Sequence, residues 1–173
     1  MVGEDENNLI ITMKIKDSVF AKEYTLNERI VKELPFAIGD TLEEEDFAKA
    51  VLKNIEFTDA VYPSAADYYY FYEVENPDNT YIALNFDLTN LKESTREVEK
   101  FMGVKAIIGD KYTYTGFPVA EEDGGQSLGT YESIDPLTTF NTYYLIEIPK
   151  SVTDKSIKII VNFDGKEYVN NFQ

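Results

Sequence analysis

Thr80-Tyr81-Ile82-Ala83-Leu84-Asn85-Phe86-Asp87-Leu88-Thr89-Asn90 decides the fold class. Ile82, Leu84, Phe86 and Leu88 recur at every second residue, with Asn85, Asp87 and Thr89 between them. Successive side chains of a strand point to opposite faces, so this period marks a half-buried β-strand. Just upstream, Asn76-Pro77-Asp78-Asn79 is a turn sequence in which Pro fixes φ. Before it lies the aromatic, β-prone run Tyr68 to Glu75. The two runs are expected to form a hairpin.

Working outward, the same signals repeat. Ile157, Ile159, Val161 and Phe163 alternate, Asp164-Gly165 fits a type I′ turn, and Lys166 to Phe172 returns. Tyr143 to Ile148 is apolar on both faces except at Glu147, the pattern of a central strand covered on both sides. Pro149 closes it, because Pro cannot donate to a ladder. Phe101 to Ile108 and Lys111 to Val119 make a further pair around Gly109-Asp110, followed by a glycine-bearing polar loop over 121–130. Short strands with frequent turns predict a β-sandwich or barrel.

Two stretches read both ways. Thr41-Leu42-Glu43-Glu44 fits a helix capping box, and Phe47, Val51 and Ile55 follow at helical spacing. Phe47, Val51, Ile55 and Phe57 also fit one face of a long strand, so residues 41–55 stay open on these residues alone. Leu9 to Ile15 reads as a strand, whereas Glu23 to Leu34 fits helix or strand before Pro35.

Composition removes whole classes of chemistry. The chain of 173 residues suits one domain and carries 16 Lys+Arg against 32 Asp+Glu, a net charge of −16. It has no Cys, His or Trp. There is therefore no thiol nucleophile, no thiolate or imidazole metal ligand, and no Ser-His-Asp triad. The acidic balance argues against nucleic acid, whose phosphates need a basic footprint. It also argues against docking on an anionic membrane. No apolar run approaches the roughly 20 residues of a membrane span, so no direct membrane insertion is expected. The start, Met1 to Asn8, is acidic and polar, unlike an export signal, and reads as a solvated tail. That leaves a cytoplasmic protein or a mature chain whose signal lies outside it.

The order of several short motifs resembles a known family. Ile38-Gly39-Asp40-Thr41, Asn54-Ile55-Glu56-Phe57-Thr58 and Thr89-Asn90-Leu91 come first. Tyr112-Thr113-Tyr114-Thr115-Gly116-Phe117, Ser133-Ile134-Asp135-Pro136-Leu137 and Tyr143-Tyr144-Leu145-Ile146-Glu147-Ile148-Pro149 follow. Over residues 38–172 this resembles secreted, often lipid-anchored, immunoglobulin-like domains of uncharacterised Gram-positive surface proteins. The resemblance implies an all-β, immunoglobulin-like β-sandwich, export to the cell surface, no catalytic motif, and a strand over 47–57. Residues 1–37 are extra to that pattern. They are expected as an N-terminal tail with an added strand or helix segment packed on the domain, which itself spans 38–173. The lipid-acceptor Cys of such proteins would have to lie upstream of this chain.

Tyrosines are the leading contact candidates. Alternation would put Tyr68, Tyr70 and Tyr72 on one face of their strand and Tyr69 and Phe71 on the other. Tyr112 and Tyr114 likewise share a face. Tyr is amphipathic and enriched at interfaces, though the plainer reading is rings that close the sandwich ends. Glu121, Glu122 and Asp123 form a weak calcium candidate without the EF-hand spacing, and a solvated acidic loop is the stronger reading. Gly124-Gly125-Gln126-Ser127-Leu128-Gly129-Thr130 has the glycines of a phosphate loop but no lysine, and reads as a strand connection. No catalytic residue and no cofactor is expected. The expected function is a non-catalytic, extracytoplasmic binding module for a surface protein or cell-wall polymer. A carboxylate-dependent hydrolase of cell-wall or extracellular glycans and a structural spacer are the alternatives.

Overall fold

The strands pair both through short turns and across long stretches of the chain. The computed structural model describes residues 8–15, 18–25, 33–122 and 124–173. They divide between two compact units, Met1–Val31 and Lys32–Gln173. In the first, β1 (Asn8–Ile15) and β2 (Ser18–Thr25) form an antiparallel hairpin with Ile15 opposite Ser18. The strand expected at Leu9 to Ile15 is therefore present. Of the expected tail, Met1 to Asn8, only Asn8 is described, and it begins β1; residues 1–7 and the middle of the ambiguous stretch, 26–32, lie outside the described residues.

The second unit is the sandwich. It runs through β3 (Glu33–Pro35), β4 (Thr41–Glu44), β5 (Ala48–Thr58), β6 (Ala60–Val61) and β7 (Tyr72–Glu73). β8 (Asn79–Asn90), β9 (Arg96–Glu97), β10 (Met102–Ile108) and β11 (Tyr112–Thr115) follow. The chain ends with β12 (Phe117–Glu121), β13 (Leu128–Gly129), β14 (Ser133–Ile134), β15 (Thr139–Pro149), β16 (Ile157–Phe163) and β17 (Lys166–Asn171). One sheet has the order β11-β10-β16-β17-β3 and the other β13-β12-β15-β8-β5-β4. All neighbours are antiparallel except β17 and β3. This is an all-β sandwich, as the alternation predicts, with the immunoglobulin-like form that the motif resemblance implies. It begins before Ile38, because β3 is already its edge strand; Pro35 is tolerated there since an edge leaves one side of the backbone unpaired.

Between the sheets lies the main core. Leu84 and Phe86 of β8, Ile146 of β15, and Ile159 and Val161 of β16 are fully buried in it. Leu145 is equally buried but faces the other side of its sheet. The strand at β15 is central, as its two apolar faces predict, with β12 on one side and β8 on the other. Asp164 and Gly165 have φ of 48° and 76°, the left-handed pair that a type I′ hairpin turn needs.

Three sequence expectations are corrected. Residues 41–55 are strand throughout except at a tight turn, and of the expected inward face Phe47 and Ile55 are buried in the main core and Phe57 packs against it, while Val51 points away. Ala48, Ala50 and Leu52 face the core, and a bulge between Leu52 and Asn54 shifts the phase so that Ile55 follows them. One extra residue in a strand reverses every later side chain. Second, Tyr68 to Glu75 does not pair with β8: Tyr72 and Glu73 pair with Val61 and Ala60. The partners of β8 are β5 and β15, each 11 residues long and able to form a far longer ladder. Third, Lys111 to Val119 is two strands. β11 pairs with β10, then the chain crosses at Gly116 and β12 joins the opposite sheet.

Candidate functional site: an aromatic and acidic groove

The larger sheet has an outer face that its own residues cannot leave bare. Parity directs Tyr81 and Ala83 of β8, Leu145 of β15, and Val119 of β12 away from the main core. With Val61 and Leu128 they form a second, smaller core. The covering layer is the short β6–β7 pair and the loop that joins its strands. A two-stranded ribbon is marginal alone, so polar contacts matter in holding it down. Asn85 Nδ2 donates to Asn141 Oδ1 at 2.8 Å, and Asn141 Nδ2 donates to Glu121 Oε1 at 2.9 Å. Glu121 Oε1 also accepts the Ser64 backbone N–H at 2.8 Å, and its Oε2 is 3.0 Å from Ser64 Oγ. Backbone bonds from Ala65 N–H to Gly125 O, Tyr69 N–H to Gln126 O and Leu128 N–H to Tyr70 O complete the attachment. Gly125 needs its glycine twice over: φ is +66°, and a Cβ would meet Ser64 Oγ at 2.6 Å.

A groove of about 490 Å³ opens between this cover and the sheet. Tyr69, Tyr70, Phe71 and Tyr72 line it from the cover, and Tyr81 and Phe117 from the sheet. Glu73, Glu75 and Glu147 contribute its carboxylates. Tyr70 and Tyr72 meet edge to face at 5.6 Å, Tyr72 and Phe117 lie 6.1 Å apart, and Phe117 and Tyr81 lie 6.3 Å apart. These are the spacings of favourable aromatic pairs, so the rings form one connected wall. Burial raises the Tyr72 hydroxyl above the ordinary tyrosine value. Burial also raises Tyr81, and the field of Glu147, Glu75 and Glu73 adds to it. Tyr81 Oη donates to the Glu73 carbonyl at 3.2 Å. Glu147 Oε1 accepts from Asn79 Nδ2 at 2.7 Å.

The expected contact residues separate into three places. Tyr70 and Tyr72 join the groove. Tyr68 does not share their face, because residues 68–71 are not a regular strand. Its ring packs instead with Tyr62 at 5.3 Å and Phe71 at 5.7 Å. Tyr112 and Tyr114 belong to the edge strand β11 of the other sheet. Tyr114 packs on the main core, and Tyr112 is half exposed with Lys111 Nζ 5.0 Å from its ring centre. In the calcium candidate, Glu121 is committed to Ser64 and Asn141, Glu122 is exposed, and Asp123 lies outside the described residues. Among the described residues no three carboxylates converge as a metal site.

Sequence reading missed Tyr69, Phe71, Tyr81, Phe117, Glu73, Glu75 and Glu147 as members of one groove. One signal was visible. Glu147 is the only charge inside the apolar run of β15, and a carboxylate beside a central strand calls for a reason.

No known family model matches the chain, and no curated protein matches it. Among solved structures, it is similar to an uncharacterised β-sandwich protein of Clostridium difficile 630. The identity is 24%, over 85% of this chain and 99% of that one, with a TM-score of 0.77. That likeness supports the fold. A conserved hypothetical protein of Bacillus anthracis is more distant, with 11% identity over 78% of this chain and 94% of that one and a TM-score of 0.49.

Proposed function

We propose that this chain is a non-catalytic contact module acting outside the cytoplasm, and that the aromatic groove on the larger sheet is its contact site. The groove itself carries this reading. Six aromatic side chains gathered from the cover, β8 and β12 leave an open, ring-lined cleft where a sandwich needs only a seal. Large exposed rings are costly to leave in water and productive in an interface: Tyr69 is 78% and Tyr70 58% exposed. With no His or Cys in the chain, the site has no imidazole base and no thiol nucleophile. The motif resemblance over 38–172 supports placement at a Gram-positive cell surface, with a lipid anchor upstream. Among the described residues no helix is long and apolar enough to cross a membrane.

The test is retention on intact Gram-positive cells, with the double variant Tyr69→Ser/Tyr70→Ser beside the wild type. Both positions are exposed, so the fold should hold, and retention should fall roughly tenfold or more. Equal retention of both proteins would remove the groove from the contact. The hydrolase alternative has its own observation, three glutamates in one cavity. Turnover of a glycoside panel that disappears in Glu147→Gln would establish it in place of the contact module.

A further inference from the structure

Resting on the reading of this groove as a contact site, we propose that its occupant is a lysine- or arginine-bearing peptide segment of a partner protein, whose cationic head is attracted by the carboxylates that line it, Glu73, Glu75 and Glu147. Three observations converge. The three carboxylates line a cavity whose walls are otherwise mostly aromatic, and no Lys or Arg lines it. Among the described residues none of the three glutamates has an ion-pair partner, while glutamates and aspartates elsewhere on the sandwich do, as in Lys53–Asp87 and Lys150–Asp59. Their joint field is felt at Tyr81, which it pushes in the same direction as burial does.

Ring faces and carboxylates together select a cation. The face of an aromatic ring is negative and attracts ammonium or guanidinium groups, more so once water is displaced. Ionised carboxylates accept hydrogen bonds and donate none, and Lys and Arg are all donor. A neutral sugar can stack on the rings and donate its hydroxyls to the carboxylates, but it gains no charge attraction from them. An anionic wall polymer would meet like charge here and over the whole chain, whose net charge is −16. The aliphatic stem of Lys or Arg would lie along the rings. The same net charge steers a basic partner towards the surface, so association should slow as salt is added.

The experiment is an NMR titration of the isotope-labelled full chain with three probes: a lysine-rich pentapeptide, a glutamate-rich pentapeptide and an uncharged chitin tetrasaccharide. Shifts at Tyr72, Tyr81 and Phe117 with the lysine peptide alone are expected. Affinity should fall roughly tenfold or more in Glu73→Gln/Glu75→Gln/Glu147→Gln. Gln keeps the acceptor for Asn79, and unchanged amide dispersion checks the fold. A control triple variant, Asp87→Asn/Glu93→Gln/Asp135→Asn, changes net charge equally and should bind almost as well as the wild type. Equal loss in both triple variants overturns the proposal, since general attraction would then explain binding. Tetrasaccharide shifts in the groove without a lysine-peptide response overturn it too, while leaving the groove a contact site. If no probe shifts the groove and the Tyr69→Ser/Tyr70→Ser variant is still retained on cells, both readings fall.

Discussion

Tyr144 carries a hydroxyl into the middle of the sandwich, and its ring meets Phe86 edge to face at 5.9 Å. The hydroxyl donates to the Val98 carbonyl at 3.3 Å, and burial pushes its pKa well above the ordinary tyrosine range. Tyr144→Phe keeps the ring and removes the donor, so chemical denaturation should show a loss of about 1 kcal/mol. Phe86→Ala removes a fully buried ring between the sheets and should cost roughly 3–5 kcal/mol. A loss below about 1 kcal/mol would mean that the main core is misplaced. Glu132 behaves in the opposite sense. Its carboxylate lies over Gly129, where an added Cβ would come within 2.3 Å of Oε1. Burial raises its pKa, and Glu122 adds to the rise. A carboxyl whose folded pKa is raised binds its proton more readily folded than unfolded, so stability falls as pH rises through that window. Glu132→Gln should therefore raise Tm at neutral pH. Its advantage should shrink to nothing below about pH 4, where the unfolded carboxyl is protonated as well. An equal gain at both pH values would point to packing instead of charge.

Gly116 shows how a single residue places an element. The chain leaves β11 there and enters β12 in the opposite sheet, with Gly116 N–H bonded to Val104 O at 2.9 Å. A Cβ would meet Val104 Cγ2 at 2.6 Å and Ile146 Cγ1 at 2.8 Å, both side chains of the packed core. Gly116→Ala should cost about 1–3 kcal/mol by overpacking, read as a lower midpoint in urea. A neutral result would show that the crossing has slack. The sequence does not reveal this crossing, because β propensity and alternation continue across Gly116 in Lys111 to Val119. The strands at 80–90, 143–148 and 157–163 are legible because no bulge interrupts them and their pairing keeps a constant phase from end to end. Residues 48–57 fit helix or strand from their own spacing, because the bulge at Lys53 breaks the two-residue phase without changing composition. Pairing is less visible still. Tyr72 is as β-prone beside Val61 as it would be beside β8, and local sequence does not encode which partner wins. The groove inherits that difficulty. Its tyrosines stand out in the chain, but Tyr81, Phe117 and Glu147 reach them only through the pairing of β8, β12 and β15.

Charge is the property that the whole molecule shares. Acidic groups outnumber basic ones 32 to 16, so even a fully paired surface would leave 16 acids without a cation (32 − 16). The ion pairs formed by described residues are partly or fully exposed, for example Lys49–Glu43 at 3.7 Å and Lys158–Glu33 at 2.6 Å. Exposed pairs contribute about 0–1 kcal/mol each and are themselves weakened by salt. Two effects of added NaCl therefore oppose each other. Screening weakens those few short attractions, and it also weakens a long-range repulsion summed over every excess carboxylate. The repulsion acts across the whole surface at about 10 mM salt, where the Debye length is roughly 30 Å, and is largely quenched near 0.15 M, where it is about 8 Å. A contact pair is shorter than either length and loses less. The repulsive sum should win, and Tm should rise between those two concentrations, by a similar amount in NaCl, KCl and tetramethylammonium chloride. A larger rise in one of these salts would indicate a specific ion site. A flat or falling Tm would mean that the paired lysines outweigh the excess of acids.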